Sequence, residues 1–214
     1  MQIVLVRHAL PERVDHRAVA EADGGSDGGS APKADPGLTE LGHRQAERLV
    51  AAVGPEIAAL YSSPMVRARE TAAPLAAALG REPTVVEGLR EFDSEANHYV
   101  PVHEMARHDP EGLRRLLDGE LPGGVDTATF AERVGAAVEG IVADHPGRGT
   151  VVVVAHAGTI NIWLARLLGL SRPLTFPLDY TGITRVLAGR DGRRIVRSVN
   201  ETGHVADLLV MPGS

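Results

Sequence analysis

Residues able to transfer a phosphoryl group follow four runs of the sequence that are predicted to be strands or strand ends. The four stretches are LVRHA (5–9), SSPMVRARETA (62–72), EGLREFD (87–93) and VAHAGT (154–159). Arginine binds the equatorial oxygens of a phosphoryl group through paired hydrogen bonds, and neutral histidine attacks phosphorus. A carboxylic acid protonates the leaving oxygen. Together the stretches could place two histidines, one or two arginines and an acid in one crevice, which is a set suited to phosphoryl transfer.

The order of the predicted elements places these stretches at one edge of a sheet. Short β-branched runs alternate with helical patterns, which predicts an α/β fold of three layers, α/β/α, with a mainly parallel central sheet. Ligands of open α/β sheets bind beyond the carboxyl ends of the strands. The predicted strands are 2–6, 56–64, 83–89, 150–156 and the hairpin 182–201, and the predicted helices are 39–53, 65–79, 103–117, 127–144 and 158–170.

Composition narrows the class of protein. The 214 residues, of which 43% are hydrophobic, suit one domain spanning 1–214. The net charge of −6 argues against a nucleic-acid partner, which would need a basic excess. No cysteine is present, so disulfides and thiolate chemistry are excluded.

Two further patterns concern location and flexibility. No run reaches the roughly 18 apolar residues of a membrane span, and residues 1–8 lack the basic start of a signal peptide. We therefore expect a soluble, cytoplasmic protein without a membrane partner. The stretch 23–37 is rich in glycine but has no strand-to-helix frame and no following G-K-[ST], which indicates a flexible loop rather than a phosphate cradle.

Three histidines raise the question of a metal site. His98, His103 and His108 are spaced five residues apart. On a helix each such step turns the side chain about 140° beyond a full turn, so the three do not share a face. No H-E-x-x-H motif or carboxylate cluster accompanies them. We expect neither a metal nor another cofactor, and His98 and Tyr99 are candidates to line the substrate mouth instead.

Five segments in this order resemble the histidine phosphatase superfamily, branch 1, the phosphoglycerate-mutase-like proteins. Three are the strand-end stretches LVRHA, SSPMVRARETA and VVVVAHAGTI (151–160). The other two are GLTELGHRQAERL (37–49) and SVNETGHV (198–205). The resemblance runs from about residue 2 to about residue 205 and implies a phosphoglycerate-mutase-like fold and phosphatase activity on a small-molecule phosphate ester.

The resemblance implies a role for individual residues. His8 corresponds to the nucleophile that becomes phosphorylated, and His156 to its catalytic and phosphate-binding partner. Arg7 and Arg67 correspond to the phosphate clamp, with Arg69 as the alternative to Arg67. Ser63 could add a hydroxyl to the pocket or cap a turn.

The acid that protonates the leaving group has several candidates. Glu91 corresponds to the family's acid, which serves as acid in the first step and as base in the second. Asp93, Glu95 and Glu87 are its alternatives.

Three positions depart from the family's pattern and keep other functions open. Ala9 stands where glycine is usual, Leu10 replaces a polar residue, and Val14 falls near a frequent asparagine ligand of phosphate. A glycine that needs a positive φ would make Ala9 costly. These departures argue against a close match to the glycolytic mutases and motivate a non-catalytic phosphate-binding or interaction module as an alternative to a phosphatase. A phosphoglycerate mutase is the alternative with the same chemistry. The loop at 10–37 and a cap-like insertion at 92–125 would set the substrate, which stays unidentified, as does the oligomeric state.

Overall fold

A six-stranded sheet forms the centre of the computed structural model, which describes residues 1–15, 33–54, 56–121 and 124–210. Its strand order is β4-β3-β6-β1-β7-β8, and β2 and β5 form a separate antiparallel pair. The strands are β1 (Gln2–Arg7), β2 (Val14–Asp15), β3 (Ile57–Ser62), β4 (Thr84–Val85), β5 (His98–Tyr99), β6 (Thr150–Ala155), β7 (Ile183–Ala188) and β8 (Arg194–Glu201).

Helices cover both faces of this sheet. The α-helices are α1 (Glu40–Val53), α2 (Val66–Leu79), α3 (Met105–His108), α4 (Pro110–Leu117), α5 (Thr127–Asp144) and α6 (Ala157–Leu168). Short 3-10 segments lie at Glu87–Leu89, Val102–Glu104 and Gly203–Leu208. The predicted three-layer arrangement is confirmed. No helix in the described part of the chain is both long and apolar enough to cross a membrane.

The parallel strands are buried on both faces because their side chains alternate between two apolar layers. Strands β4, β3, β6 and β1 run parallel, whereas β7 is antiparallel to β1 and to β8. Val151 and Val153 of β6 pack with α5 and α6, and Val152 and Val154 pack with α1 and α2. Successive strand residues point to opposite faces, so an uninterrupted valine run suits this central position.

Local signals in the sequence set the helix ends. Thr39 accepts a hydrogen bond from the Gly42 amide as the N-cap of α1, as its residue type predicts. Helix α2 ends at Gly80, whose positive φ of 62° suits glycine. Trp163 of α6 is buried in the core, as expected for its apolar helix face.

The single helix predicted at 103–117 is wrong. The chain forms a 3-10 turn, then α3 and α4, which are separated at Asp109. Pro110 occupies the first turn of α4, where its missing amide is tolerated, and the Asp109 side chain caps the Gly112 amide. Proline also disfavours helical backbone in the residue before it, and the φ of Asp109 is −152°.

Two predicted segments extend beyond the central sheet. Residues 23–32 of the predicted flexible loop lie outside the described residues, whereas Ala34 at its end is buried and donates to the Ala96 carbonyl at 2.7 Å. The 92–125 segment contributes β5, α3 and α4, and β5 pairs with β2. Its role as a cap, and the assignment of 1–214 to one domain, stay predictions.

The contact between α1 and the chain after β1 is tight enough to test. A Cβ at Gly42 would collide with the Leu10 carbonyl oxygen and lie 3.2 Å from the Leu38 Cβ. We expect Gly42→Ala to lower the free energy of unfolding in urea by about 1–3 kcal/mol, the usual cost of overpacking.

Gly140→Ala is the matched control for this substitution. Gly140 is exposed within α5, and a Cβ there would meet no atom within 4 Å. This change should raise the free energy of unfolding by about 0.5–1 kcal/mol through helix propensity. Equal stability of the two variants would contradict the close packing at Gly42.

Candidate active site

Three neighbouring strands deliver the candidate residues to one place. In the register of the sheet, Arg7 on β1 lies beside Ala155 on β6. The His8 amide donates to the Ala155 carbonyl at 2.9 Å, and the Ser63 amide donates to the Val154 carbonyl at 2.9 Å. The carboxyl ends of β1, β3 and β6 are thereby fixed side by side.

Arg7 and His8 can serve one pocket because the strand ends between them. Strand β1 stops at Arg7, so His8 is free of the alternation that would send the two side chains to opposite faces. Both side chains are buried, and the ring centroids of His8 and His156 lie 5.2 Å apart. The structure therefore brings the two predicted histidines together.

His8 is held as a neutral imidazole of one tautomer. Its Nδ1 lies 2.7 Å from the Ala9 carbonyl oxygen, which can only accept, so Nδ1 carries the proton. Burial, followed by the charges of Arg67 and Arg7, lowers the pKa of His8 well below its usual value. The lone pair of the neutral ring is then on Nε2.

The residues after His8 are fixed by two buried side chains. The Thr71 hydroxyl accepts from the Ala9 amide at 2.9 Å and donates to the Arg67 carbonyl at 2.6 Å. The Gln45 amide oxygen accepts from the Leu10 amide at 2.9 Å. These contacts couple the chain after His8 to α1 and α2, and Thr71 links it to the first turn of α2, which carries Arg67.

The departures after His8 fit this loop. Ala9 is buried with Leu38 and Ala46 and is not among the described residues with positive φ, so the expected backbone cost of replacing glycine is absent. Leu10 is buried as well. Val14 lies on β2 and pairs with Tyr99. None of the three disturbs the strand end that carries His8.

Arg7 lies under an aromatic ring. Its Nη1 donates to the Leu178 carbonyl, and its guanidinium carbon is 3.9 Å from the centroid of the Tyr180 ring. The Nε atom is buried and has no hydrogen-bond partner among the described residues. The guanidinium is thus oriented by protein contacts while its Nε donor stays available.

Arg67 is fully buried, whereas the alternative, Arg69, is exposed. Arg67 Nη2 donates to Asp93 Oδ1 at 2.8 Å, and Nη1 lies 3.8 Å from Asp35 Oδ1. Its guanidinium carbon is 4.7 Å from the centroid of the Tyr99 ring. Nε and Nη1 have no hydrogen-bond partner in the described part of the chain.

His156 is the N-cap residue of α6 and is fully buried. Its Nε2 lies 2.8 Å from the Ser63 hydroxyl. If Ser63 donates to Nε2, the neutral ring carries its proton on Nδ1, which has no partner within the described residues. Burial first, then Arg67, His8 and Arg7, lowers the pKa of His156 well below its usual value.

Glu91 lies at the first turn of α6. Its Oε2 accepts from the Gly158 amide at 2.7 Å, and its Oε1 accepts from the Phe92 amide at 3.1 Å. A Cβ at position 158 would collide with Oε1, so only glycine permits this approach. Burial and then the Asp93 charge raise the pKa of Glu91 to about 7, against the lowering effect of the Gly158 hydrogen bond.

The alternative acids have other partners. Asp93 is bonded to Arg67, and the carboxylate of the exposed Glu95 pairs with Lys33. Glu87 is exposed and pairs with Arg90 at 2.7 Å. Among these four carboxyl groups, Glu91 combines burial with a pKa near neutrality, which suits a group that gives and then takes a proton.

A cavity of about 520 Å³ lies between the chain after His8 and the segment 103–108, and none of the candidate catalytic side chains lines it. Leu10 and Pro11 form one part of its lining and lead back to His8, while His103 contacts the Tyr180 ring edge-on, with centroids 6.1 Å apart. The lining also carries charges of both signs, from Glu12, Arg13, Glu104 and Arg107. The expected role of Tyr99 at the mouth is compatible with its place over Arg67.

The histidines considered for a metal site lie in the 92–125 segment. His98 is on β5, His103 is in a 3-10 turn, and His108 ends α3. In the described part of the chain, no three His, Cys, Asp or Glu side chains gather as metal ligands would. The absence of a cofactor stays a prediction.

Sequence reasoning did not single out two residues that shape the site. Tyr180 covers Arg7, as Tyr99 covers Arg67, and Gly158 supplies the amide that binds Glu91. Gly158 stands in the AHAGT stretch and could have been found there as the start of a helix. No sequence signal marks Tyr180, because it reaches the pocket from a loop.

The pKa of Glu91 predicts a pH-dependent stability. Between its usual value of 4.5 and about 7, folded Glu91 holds a proton that the unfolded chain has lost. Stability therefore falls as pH rises through this range. The unfolding free energy of the wild type, minus that of Glu91→Gln, should decrease by up to about 3 kcal/mol between pH 4 and pH 8.

Urea unfolding at intervals across that range measures the difference, and Glu87→Gln is the control. Glu87 is exposed, so its removal should leave the pH profile close to that of the wild type. A Glu91→Gln profile parallel to the wild-type profile would contradict the raised pKa.

Known proteins resemble this chain over nearly its whole length. The family model described as "Histidine phosphatase superfamily (branch 1)" matches residues 3–201. The "Bifunctional protein Rv2228c" of Mycobacterium tuberculosis is 30% identical over 211 residues, which are 95% of this chain and 55% of that protein. This chain thus spans about half the length of the curated relatives it matches first.

Solved structures of phosphatases share the fold. The mycobacterial glucosyl-3-phosphoglycerate phosphatase Rv2419c, solved with VO3, is 25% identical with a TM-score of 0.69, covering 93% of this chain and 98% of that one. The H9A mutant of phosphoserine phosphatase from Entamoeba histolytica is 24% identical with a TM-score of 0.68, covering 95% and 98%. With the family model matching nearly the whole chain, the protein belongs to the histidine phosphatase superfamily, branch 1.

Proposed function

We propose that this protein hydrolyses small-molecule phosphate monoesters through a phosphohistidine intermediate on His8. The observation that carries the proposal is a neutral His8, with its proton fixed on Nδ1, beside two buried guanidinium groups. A nucleophile needs the free lone pair that this tautomer leaves on Nε2, and the substrate's negative charge needs the arginines.

Unpartnered donors support phosphate as the ligand. Nε of Arg7, Nε and Nη1 of Arg67, and Nδ1 of His156 are all buried and lack a partner in the described part of the chain. A buried donor without an acceptor is costly, whereas phosphate oxygens are acceptors only. Two guanidiniums and an imidazole could stabilise the charge that spreads over three oxygens in the transition state.

The first step needs an acid to protonate the leaving alcohol, and Glu91 is the residue proposed for it. The His8 Nε2 lone pair forms the N–P bond while the bond from phosphorus to the alcohol oxygen breaks. Glu91 gives its proton to that oxygen, and its pKa of about 7 keeps a large fraction protonated at neutral pH.

The second step reverses the role of the same carboxyl group. Glu91, now ionised, takes a proton from water as the water oxygen attacks phosphorus. The N–P bond breaks, His8 regains its lone pair, and inorganic phosphate leaves. His8, Glu91 and the bound phosphate return to their starting protonation states, so the cycle balances without an added cofactor.

The alcohol part of the substrate fits a polar compound of small size. The cavity of about 520 Å³, whose lining starts at Leu10, two residues after His8, carries both acidic and basic side chains. The structural relative of 25% identity is a phosphatase of glucosyl-3-phosphoglycerate, a polar phosphate ester. These observations favour small polar phosphate monoesters over macromolecular substrates.

Trapping of the intermediate tests the nucleophile. Wild-type protein mixed briefly with a ³²P-labelled phosphate ester should retain label that is lost in acid and kept in alkali, as expected of phosphohistidine. His8→Ala should carry no label and should lose p-nitrophenyl phosphate hydrolysis. His145→Ala is the control, because His145 caps the end of α5 and bonds to Tyr61, not to a candidate site residue, and should leave both signals intact.

Three outcomes of this experiment would contradict the proposal. Full hydrolysis by His8→Ala would remove His8 as nucleophile. Phosphate binding without turnover of any ester in a metabolite panel would favour the non-catalytic module. Transfer between positions of phosphoglycerate that outpaces hydrolysis in a coupled assay would favour the mutase.

The dependence of the rate on the leaving group tests Glu91 as the acid. Glu91→Gln should slow phosphoenzyme formation strongly with an alkyl phosphate such as β-glycerophosphate, by about 10²–10⁴-fold, the usual contribution of an acid catalyst. With p-nitrophenyl phosphate the loss should be much smaller, because p-nitrophenolate leaves without a proton. Rapid-quench measurement of the first turnover gives both rates.

Asp93→Asn distinguishes the alternative acid in the same measurement. Asp93 pairs with Arg67 and is expected to alter affinity rather than the dependence on leaving group. A leaving-group dependence in Asp93→Asn, together with its absence in Glu91→Gln, would assign the acid to Asp93.

A further inference from the structure

Tyr180 has three of the pocket's side chains around its ring. The ring centroid lies 3.9 Å from the Arg7 guanidinium carbon and 5.9 Å from the His8 ring centroid. His103 meets the same ring edge-on at 6.1 Å. The side chain therefore contacts the proposed clamp and lies next to the nucleophile, although it belongs to none of the strand-end stretches.

The backbone around Tyr180 is tied to the strand that carries the nucleophile. The Leu178 carbonyl accepts from Arg7 Nη1. The Thr181 amide donates to the Arg7 carbonyl at 3.1 Å, and the Arg7 amide donates to the Gly182 carbonyl at 3.2 Å. The segment 178–182 thus wraps around Arg7 from both sides of Tyr180.

This turn holds an unfavourable backbone conformation. Thr181 has a φ of 57°, which is a rare value for a β-branched residue and is maintained only where surrounding contacts impose it. Its hydroxyl donates to the Tyr180 carbonyl at 2.7 Å. Asn200 of the SVNETGHV segment accepts from the Asp179 amide at 2.8 Å and fixes the other side of the turn.

The hydroxyl of Tyr180 has no evident structural role. It is buried, and no group among the described residues shares a hydrogen bond with it. Tyr61 shows the ordinary arrangement, since its hydroxyl lies 2.8 Å from His145 Nε2. A buried phenol usually forms a hydrogen bond, so the Tyr180 hydroxyl is a donor that can still bind an acceptor.

We propose that Tyr180 is a further phosphate-binding residue, whose ring fixes the Arg7 guanidinium and whose hydroxyl donates a hydrogen bond to the bound phosphoryl group. This inference rests on the proposed function for the identity of the ligand. It adds a neutral hydrogen-bond donor to the charged donors of the arginines. The strained turn at Thr181 would serve to hold Tyr180 in this position. Because the donor contacts the phosphoryl group and not the alcohol, its effect should be independent of the substrate's leaving group.

Tyr180→Phe tests the hydroxyl alone, since the ring that stacks on Arg7 is retained. We expect about tenfold weaker binding of inorganic phosphate and of vanadate by calorimetry, the size of effect typical of a hydrogen bond to a charged group. The value of kcat/KM should fall by a similar factor for p-nitrophenyl phosphate and for β-glycerophosphate. The thermal midpoint should stay within about a degree of the wild type, because no structural hydrogen bond is lost.

Tyr180→Leu tests the ring. Loss of stacking on Arg7 should weaken phosphate binding beyond the Tyr180→Phe value by a further fewfold factor. Tyr61→Phe is the matched control, because it removes a tyrosine hydroxyl that bonds to His145 and not to a residue of the pocket. It should lower the thermal midpoint and leave phosphate affinity and kcat/KM unchanged.

The outcomes separate this inference from the proposed function. If the wild type binds phosphate and turns over esters while Tyr180→Phe matches it in both, the hydroxyl's role is wrong and the proposed function stands. A lowered thermal midpoint with unchanged phosphate affinity would show a structural hydroxyl and overturn the inference as well. If the wild type binds neither phosphate nor vanadate, the proposed function and the role of Tyr180 both fail.

Discussion

The burial of two guanidinium groups beside two imidazoles is the constraint that shapes this site. Arg7 and Arg67 stay charged although they are buried away from water. This burial is tolerable only because carbonyls, aromatic faces and carboxylates surround the two guanidinium groups. Each arginine meets that need with a tyrosine ring and a hydrogen-bonded oxygen. The remaining donors are then fixed in direction before any ligand arrives, which is the preorganisation that electrostatic stabilisation requires.

The same charges, together with burial, determine which groups of the pocket are protonated. Positive neighbours and burial lower the pKa of His8 and His156, so both rings are neutral, while burial and Asp93 raise the pKa of Glu91 to about 7. A buried carboxyl that keeps its proton and histidines that give theirs up are opposite responses to one dry environment. The pocket therefore holds the proposed nucleophile in its neutral form and the proposed acid in its protonated form at the same pH.

Much of this could be predicted from the sequence because the site is built on strand ends. Valine runs indicated the buried strands, and the residues following them, such as His8 and His156, fell where the sheet's topology brings them together. The acid was harder to assign from the sequence. The residue pattern does not show that Glu91 is buried and Asp93 is not, since burial depends on how the loop folds onto α6. Tyr180 was beyond reach for the same reason. Its position depends on contacts between β1, the 178–182 turn and Asn200, which are distant in sequence.

The small sheet of β2 and β5 links two parts of the chain that serve different purposes. Strand β2 follows the chain segment after His8, whereas β5 carries Tyr99, whose ring covers Arg67, and belongs to the 92–125 segment. A change there that displaced β5 would also shift the ring over Arg67. Under the proposed function, substrate specificity set by this segment and phosphate affinity would therefore be coupled, and neither would be adjusted alone.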